Sequence, residues 1–190
     1  IPNHELAKHY AEKAMHASAQ VDNPRSQMWT YLAVGTYKLG VGDWDASRTA
    51  LLKAKELALS ASDGRLEGDA DTVLAGLTYY QGGDFEISQN YYDNWLAQAK
   101  RSGNNLHLTW ATYGQSFLQI IRGEFELAIH NTQNSEKLDP TPINIAHLNT
   151  IRGMANWRMG REEQAIKNFA ETLSILHSLP PQVYSLLVSY

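Results

Sequence analysis

The chain has 190 residues, a net charge of −4, 43% hydrophobic residues and no cysteine. This length allows one or two domains, and interspersed acidic and basic residues leave no basic stripe for phosphate contacts. No apolar run approaches the roughly 18 residues of a membrane-spanning helix, and the lack of cysteine excludes disulfides and thiolate chemistry. We therefore expect neither a nucleic-acid partner nor a membrane segment.

Apolar residues recur three and four positions apart, and turn residues separate helix-length stretches. This spacing places one apolar stripe on each helix. No stretch shows a sustained alternation of period two, so the sequence predicts an all-α fold of about ten helices. In chain order, the predicted helices cover 4–20, 26–40, 44–61, 68–81, 85–101, 105–121, 125–137, 142–158, 162–177 and 182–190.

Turns that contain a glycine recur at nearly constant spacing along the chain. Gly42, Gly83, Gly123 and Gly160 are 41, 40 and 37 positions apart, a period typical of stacked helical repeats. Small residues stand seven positions before each turn glycine and five positions after it. Because a glycine inside a helix costs about 1 kcal/mol relative to alanine, we predict that these positions allow close helix crossing. They are Gly35, Gly76, Ser116 and Gly153 before the turns, and Ser47, Ser88, Ala128 and Ala165 after them.

These small residues and turns resemble the tetratricopeptide repeat family. The pattern is a small residue, a Gly-Asp-aromatic turn, a second small residue and an aromatic residue four positions later. It is clearest in the series Gly76, Gly83, Ser88 and Tyr92. The period near 40 resembles the longer repeats of bacterial signalling ATPases, nucleotide cyclases and maltose-regulator-type activators. The resemblance implies a right-handed helical-hairpin solenoid, the α-α superhelix of this family.

The period also predicts the domain organisation, which is a single array over 1–190. We expect whole repeats at 25–64, 65–104, 105–140 and 141–179, with half repeats at 1–24 and 180–190. Because both ends divide a repeat, the chain is expected to be an arm of a larger protein, and its truncated ends could form a homodimer. The resemblance alone favours a cytoplasmic location.

A search for chemistry finds no combination of acid, base and nucleophile, so we expect no catalysis within this segment. The acidic run Asp63, Glu67, Asp69 and Asp71 is the best metal candidate, but it lacks the ligand order of a calcium loop. We interpret it as a loop whose acids favour the start of the following helix. The seven histidines show no zinc spacing. The sequence therefore predicts no metal site and no cofactor.

The resemblance also implies a concave face formed by the first helix of each repeat. Its usual binding positions carry mostly apolar and aromatic residues here, and no Lys, Arg or Asn that would hold a terminal carboxylate. We expect this face to bind another polypeptide or a neighbouring domain, with the tryptophans as anchors. The predicted binding residues are Trp29, Leu32, Thr36, Val73, Leu77, Trp110, Tyr113, Phe117 and His147.

Three functions stay open at this point. The first is a non-catalytic protein–protein interaction scaffold within a signalling or regulatory protein. The second is a ligand-sensing or oligomerisation arm, in which Trp110, Tyr113 and His147 would enclose a small molecule. The third is an enzyme whose active site would lie elsewhere in the parent protein. For the aliphatic residues of the predicted face, packing in the core is the favoured explanation, and for the two tryptophans core packing and partner binding are weighed evenly.

Overall fold

The computed structural model describes residues 4–180, and within them it contains nine α-helices and no strand. The predicted all-α fold is confirmed. The helices are α1 (His4–Ser18), α2 (Pro24–Gly40), α3 (Trp44–Ser60), α4 (Gly64–Gly82), α5 (Phe85–Ser102), α6 (Asn105–Arg122), α7 (Phe125–Leu138), α8 (Pro142–Arg158) and α9 (Glu162–Ser178).

The predicted helix ends lie within two residues of these bounds, except at the start of α4. This helix begins at Gly64 rather than at residue 68, and the side chain of Asp63 caps it by accepting from the N–H of Leu66 at 3.4 Å. The prediction of a loop over this acidic run is therefore wrong. The predicted helix over 182–190 lies outside the described residues. Of the half repeat predicted at 180–190, only residue 180 is described.

The helices form two compact units, Ile1–Ser102 and Gly103–Tyr190. In the first unit α2 pairs with α3 and α4 with α5, while α3 packs on α4 and α2 on α4. In the second unit α6 pairs with α7 and α8 with α9, while α7 packs on α8 and α6 on α8. We call α2, α4, α6 and α8 the first helices of their hairpins, and α3, α5, α7 and α9 the second helices. Each unit thus contains two adjacent helical hairpins, as the predicted solenoid class requires.

Each unit has its own apolar core. In the first unit the core lies among α2, α3 and α4, and in the second it lies among α6, α7 and α8. Burial of this apolar surface supplies most of the favourable free energy of folding. The buried core of the first unit includes Met28, Leu51, Leu66 and Leu74, and that of the second includes Ile120, Ala128, Ile151 and Ala155.

The four turn glycines have the left-handed backbone conformation that favours glycine. Their φ angles are 79° at Gly42, 66° at Gly83, 83° at Gly123 and 74° at Gly160. At three of these turns, the N–H of the residue after the glycine donates to the carbonyl five residues earlier. At the α4–α5 turn, Gly83 itself donates to the carbonyl of Tyr79, four residues earlier. The two closing patterns are alternative helix endings, and they place the next helix in a different register.

The close helix crossings are confirmed at two of the predicted glycines. The hydroxyl of Ser47 donates to the carbonyl of Gly35 at 2.7 Å, and a Cβ added at Gly35 would lie 2.7 Å from the Leu51 side chain. A Cβ added at Gly153 would lie 2.5 Å from the ring of Phe169. In both hairpins, the glycine is needed because the opposite side chain occupies the space of a methyl group.

Gly76 does not lie at a close crossing, so its predicted role is wrong. A Cβ added there would meet no atom within 4 Å. The buried Ala75 takes its place, and its carbonyl accepts from the Ser88 hydroxyl at 2.9 Å. The different ending of α4 at Gly83 accounts for this shift of one residue.

Substituting Gly76 and Gly153 with alanine is expected to have opposite effects on stability. Gly76→Ala adds a methyl group in open space within a helix, so we expect the free energy of unfolding to rise by about 0.5–1 kcal/mol. Gly153→Ala overlaps Phe169, and we expect a loss of about 1–2 kcal/mol despite the better helix propensity. Urea unfolding followed by circular dichroism measures both. Equal effects of the two substitutions would contradict the shifted crossing.

Candidate functional site

The structure places the nine predicted binding residues on the first helices, but it exposes them unequally. Trp29 is 46% exposed and Trp110 is 39% exposed. Five others are half-buried, and two are buried. The half-buried residues are Thr36, Val73, Tyr113, Phe117 and His147.

The prediction that Leu32 and Leu77 belong to the binding face is wrong. Leu32 is 8% exposed and Leu77 is fully buried, and both belong to the core cluster of the first unit. The reason is that a first helix also packs on its own second helix and on the next first helix, so a wide apolar stripe is consumed by these contacts. Val73 packs on the same cluster. Trp29 is therefore the exposed large side chain among the predicted residues of this unit.

In the second unit, three predicted residues come together between α6 and α8. The rings of Tyr113 and His147 have centroids 5.1 Å apart, and those of Trp110 and His147 are 6.4 Å apart in an edge-on arrangement. The indole Nε1 of Trp110 donates to Oδ1 of Asn144 at 2.7 Å. Phe117 packs beside them against the core. We call Trp110, Tyr113 and His147 the aromatic cluster.

The aromatic cluster is electrically neutral near pH 7. Burial lowers the pKa of His147 from its ordinary value of 6.5, because the protonated ring would lose its hydration. A neutral imidazole between two aromatic rings gives this surface an apolar character. It therefore suits an apolar contact rather than a charged one.

Asn144 is the residue of this site that the sequence analysis missed. Its side chain is fully buried, and it fixes the orientation of the Trp110 ring. One feature of the sequence could have indicated Asn144: it is a polar residue inside the apolar stripe of a first helix. A buried amide at such a position requires a hydrogen-bond partner. Its distance of 34 positions from Trp110 gave no indication of which residue that partner is.

The acidic run begins at Asp63, which caps α4, and its other members lie within α4; the last of them is an internal ion-pair partner. Asp71 is fully buried, and its Oδ1 accepts from Nζ of Lys55 on α3 at 2.5 Å. Nζ of Lys55 also lies 3.9 Å from Oε1 of Glu67 and 5.3 Å from the centre of the Tyr91 ring. Burial raises the pKa of Asp71 to about 6, opposed by the hydrogen bond from Lys55. This arrangement joins three helices of the first unit.

Within residues 4–180, no three His, Asp or Glu side chains are grouped so that they would bind a metal ion. No helix in the same range has the length and apolar content needed to cross a membrane. Comparison with models of known protein families gives no match, and comparison with curated protein sequences gives none either.

Proposed function

We propose that this chain is a protein–protein interaction scaffold that binds an apolar segment of another polypeptide on its first helices. Its repeats resemble the tetratricopeptide family, whose members commonly serve this purpose. The observation that carries the proposal is the aromatic cluster of the second unit. A partly exposed indole is held there by a buried amide and by a neutral histidine ring.

The geometry of Trp110 suits an interface anchor. Residues that dominate interface energies are enriched in Trp, Tyr and Arg, and they bind best when little side-chain entropy remains to be lost. The hydrogen bond to Asn144 and the contact with His147 hold the indole before any partner arrives. The exposed 39% of Trp110 is then available to an apolar side chain of a partner. Trp29 is the corresponding exposed aromatic residue of the first unit.

The first experiment selects binders from a displayed library of random linear peptides and measures their affinity for variants. We expect Trp110→Ala to weaken the selected peptides by about 10- to 100-fold, because such anchors contribute about 2 kcal/mol or more. Asn144→Ala frees the indole and is expected to weaken them less. Fluorescence anisotropy with labelled peptides provides the measurement.

Trp44→Ala is the matched control, because Trp44 is also 39% exposed but lies on α3, a second helix. This variant is expected to retain the affinity of the unmodified protein. Circular dichroism of each variant checks that the helices are intact. Full affinity of Trp110→Ala for the selected peptides, with its helices intact, would contradict the proposed binding face.

A further inference from the structure

A polar cavity of about 340 Å³ lies between α7, α8 and α9 in the second unit. Helix α8 forms its floor, and α7 and α9 form its walls. Successive helix residues are about 100° apart, so Asn149, Arg152 and Asn156 share one face of α8, opposite the face that carries His147. The cavity is therefore separate from the aromatic cluster. Its volume lies at the lower end of the range of small-molecule sites.

In the first unit, aromatic side chains occupy the corresponding position. Counted from the crossing residues Ser88 and Ala165, Tyr91 of α5 corresponds to Asn168 of α9, and Trp95 corresponds to Thr172. Tyr91 lies against Lys55, and Trp95 is 2% exposed. In the second unit, two smaller polar residues stand at these positions, and one of them, Asn168, lines the cavity.

The correspondence is supported by the contacts of Trp95 and Thr172. Trp95 packs over Gly68, and the hydroxyl of Thr172 donates to the carbonyl of Ala146 at 3.2 Å. Gly68 and Ala146 each lie seven residues before the residue at the close crossing of their hairpin. The two hairpins thus share one geometry, and the cavity arises from a difference in side chains.

The floor of the cavity is fixed by internal contacts. Arg152 donates to the hydroxyl and the carbonyl of Thr132 at 3.2 and 3.0 Å, to Oδ1 of Asn149 at 3.0 Å, and it pairs with Glu136 at 2.5 Å. Asn156 donates to Oδ1 of Asn168 at 3.1 Å. Nine of the ten lining residues are polar, so the cavity offers a ligand several hydrogen-bonding partners.

Two charged residues of the α9 wall have no ionic partner in the described part of the chain. Lys167 and Glu171 are exposed, line the cavity and lie four positions apart on one helix face. They present one ammonium and one carboxylate beside several carboxamide groups. A ligand with a carboxylate and an ammonium group on a small polar body would satisfy both.

We propose that this cavity binds a small zwitterion of the α-amino-acid type, either a free amino acid or a dipeptide. The ligand carboxylate lies at Lys167, and the ligand ammonium lies at Glu171. The carboxamides of the floor donate hydrogen bonds to other polar atoms of the ligand and accept hydrogen bonds from them. This site is independent of the proposed partner-binding face.

The experiment titrates the protein with the standard L-amino acids and with a panel of dipeptides, using calorimetry and the side-chain amide signals in NMR spectra. We expect at least one of these ligands to bind with a Kd between about 10 μM and 1 mM. Its N-acetylated and its C-terminally amidated forms are each expected to bind at least about tenfold more weakly. A free amino acid and a dipeptide are distinguished directly by which panel contains the ligand.

Variants locate the site. Lys167→Glu is expected to weaken binding at least about tenfold, and the double exchange of Lys167→Glu with Glu171→Lys is expected to restore part of it. Asn168→Tyr should fill the cavity as Tyr91 does and abolish binding. The controls Lys137→Glu and Asn134→Tyr change exposed residues of α7 outside the cavity and should have no effect.

Two results would overturn the proposal. One is that no amino acid or dipeptide binds at about 10 mM ligand. The other is that Lys167→Glu, an exposed substitution that leaves the core intact, binds as tightly as the unmodified protein. If circular dichroism shows that Asn168→Tyr does not fold, the Lys167→Glu result decides alone.

Discussion

Replacing Trp95 with alanine is expected to lower the free energy of unfolding by about 3–5 kcal/mol, the range for a large buried aromatic side chain. Trp95 is 2% exposed, and its ring packs directly over Gly68 of α4. The truncated side chain leaves a void between α4 and α5 that the surrounding helices fill only partly. Urea unfolding followed by circular dichroism measures the loss. Trp44→Ala, which changes a partly exposed tryptophan of the same unit, should cost far less.

A double-mutant cycle with Gly68 tests the packing itself. A Cβ at Gly68 would overlap the indole of Trp95, so Gly68→Ala is expected to destabilise the unmodified protein. In the Trp95→Ala background that space is free, and the same substitution should be stabilising through helix propensity. If Gly68→Ala had the same effect in both backgrounds, the contact described here would be wrong.

Replacing Lys55 with methionine is expected to cost about 3 kcal/mol near neutral pH, because it leaves the buried Asp71 carboxylate without its counter-charge. The side chain of Lys55 is 20% exposed and that of Asp71 is fully buried, so water replaces little of the lost interaction. Chemical unfolding near pH 7.5 provides the measurement. Lys53→Met is the control, because Lys53 pairs with Glu56 on the surface and such pairs contribute about 0–1 kcal/mol. Equal losses for the two variants would contradict a buried pair.

The effect of Lys55→Met should also depend on pH, with a sign set by Asp71. Its pKa is about 6 in the folded protein, above its ordinary value of 3.8, so the folded state binds the proton more tightly. The contribution of Asp71 to stability therefore falls as pH rises from about 4 to about 6. Removing Lys55 raises this pKa further, so the loss is expected to be smaller near pH 5 than near pH 7.5. The lowered pKa of His147 acts in the opposite direction, but it is present in both proteins and cancels in the comparison.

The acidic run shows why local sequence misplaced one helix start. Gly64, Gly68 and four acids within nine residues have the composition of a loop. In the folded protein, Gly68 provides room for Trp95, and Asp71 pairs with Lys55. Both partners lie on other helices. A local pattern could not distinguish these residues from a flexible connection, because their purpose is a contact with distant parts of the chain.

The prediction of the binding residues was also limited, because a local pattern does not reveal contacts with distant parts of the chain. Periodicity correctly placed Trp110, Tyr113 and His147 on first helices, and the structure brings their rings together. The binding positions implied by the family resemblance include both exposed anchors and core residues, so Leu32 and Leu77 were included although they are buried. Periodicity also gave no indication of Asn144, or of the cavity beside Arg152, because both depend on how neighbouring helices face one another.

The sequence by itself determined the helices and the glycine turns, because apolar spacing and left-handed glycines act over a few neighbouring residues. Only the tertiary structure decided which small residue lies at each helix crossing, which charges are paired in the interior and where polar space is left. The crossing position differs by one residue at Gly83, and the polar space lies where Asn168 stands in place of Tyr91. The physical consequence of these differences appears only when two helices are packed together.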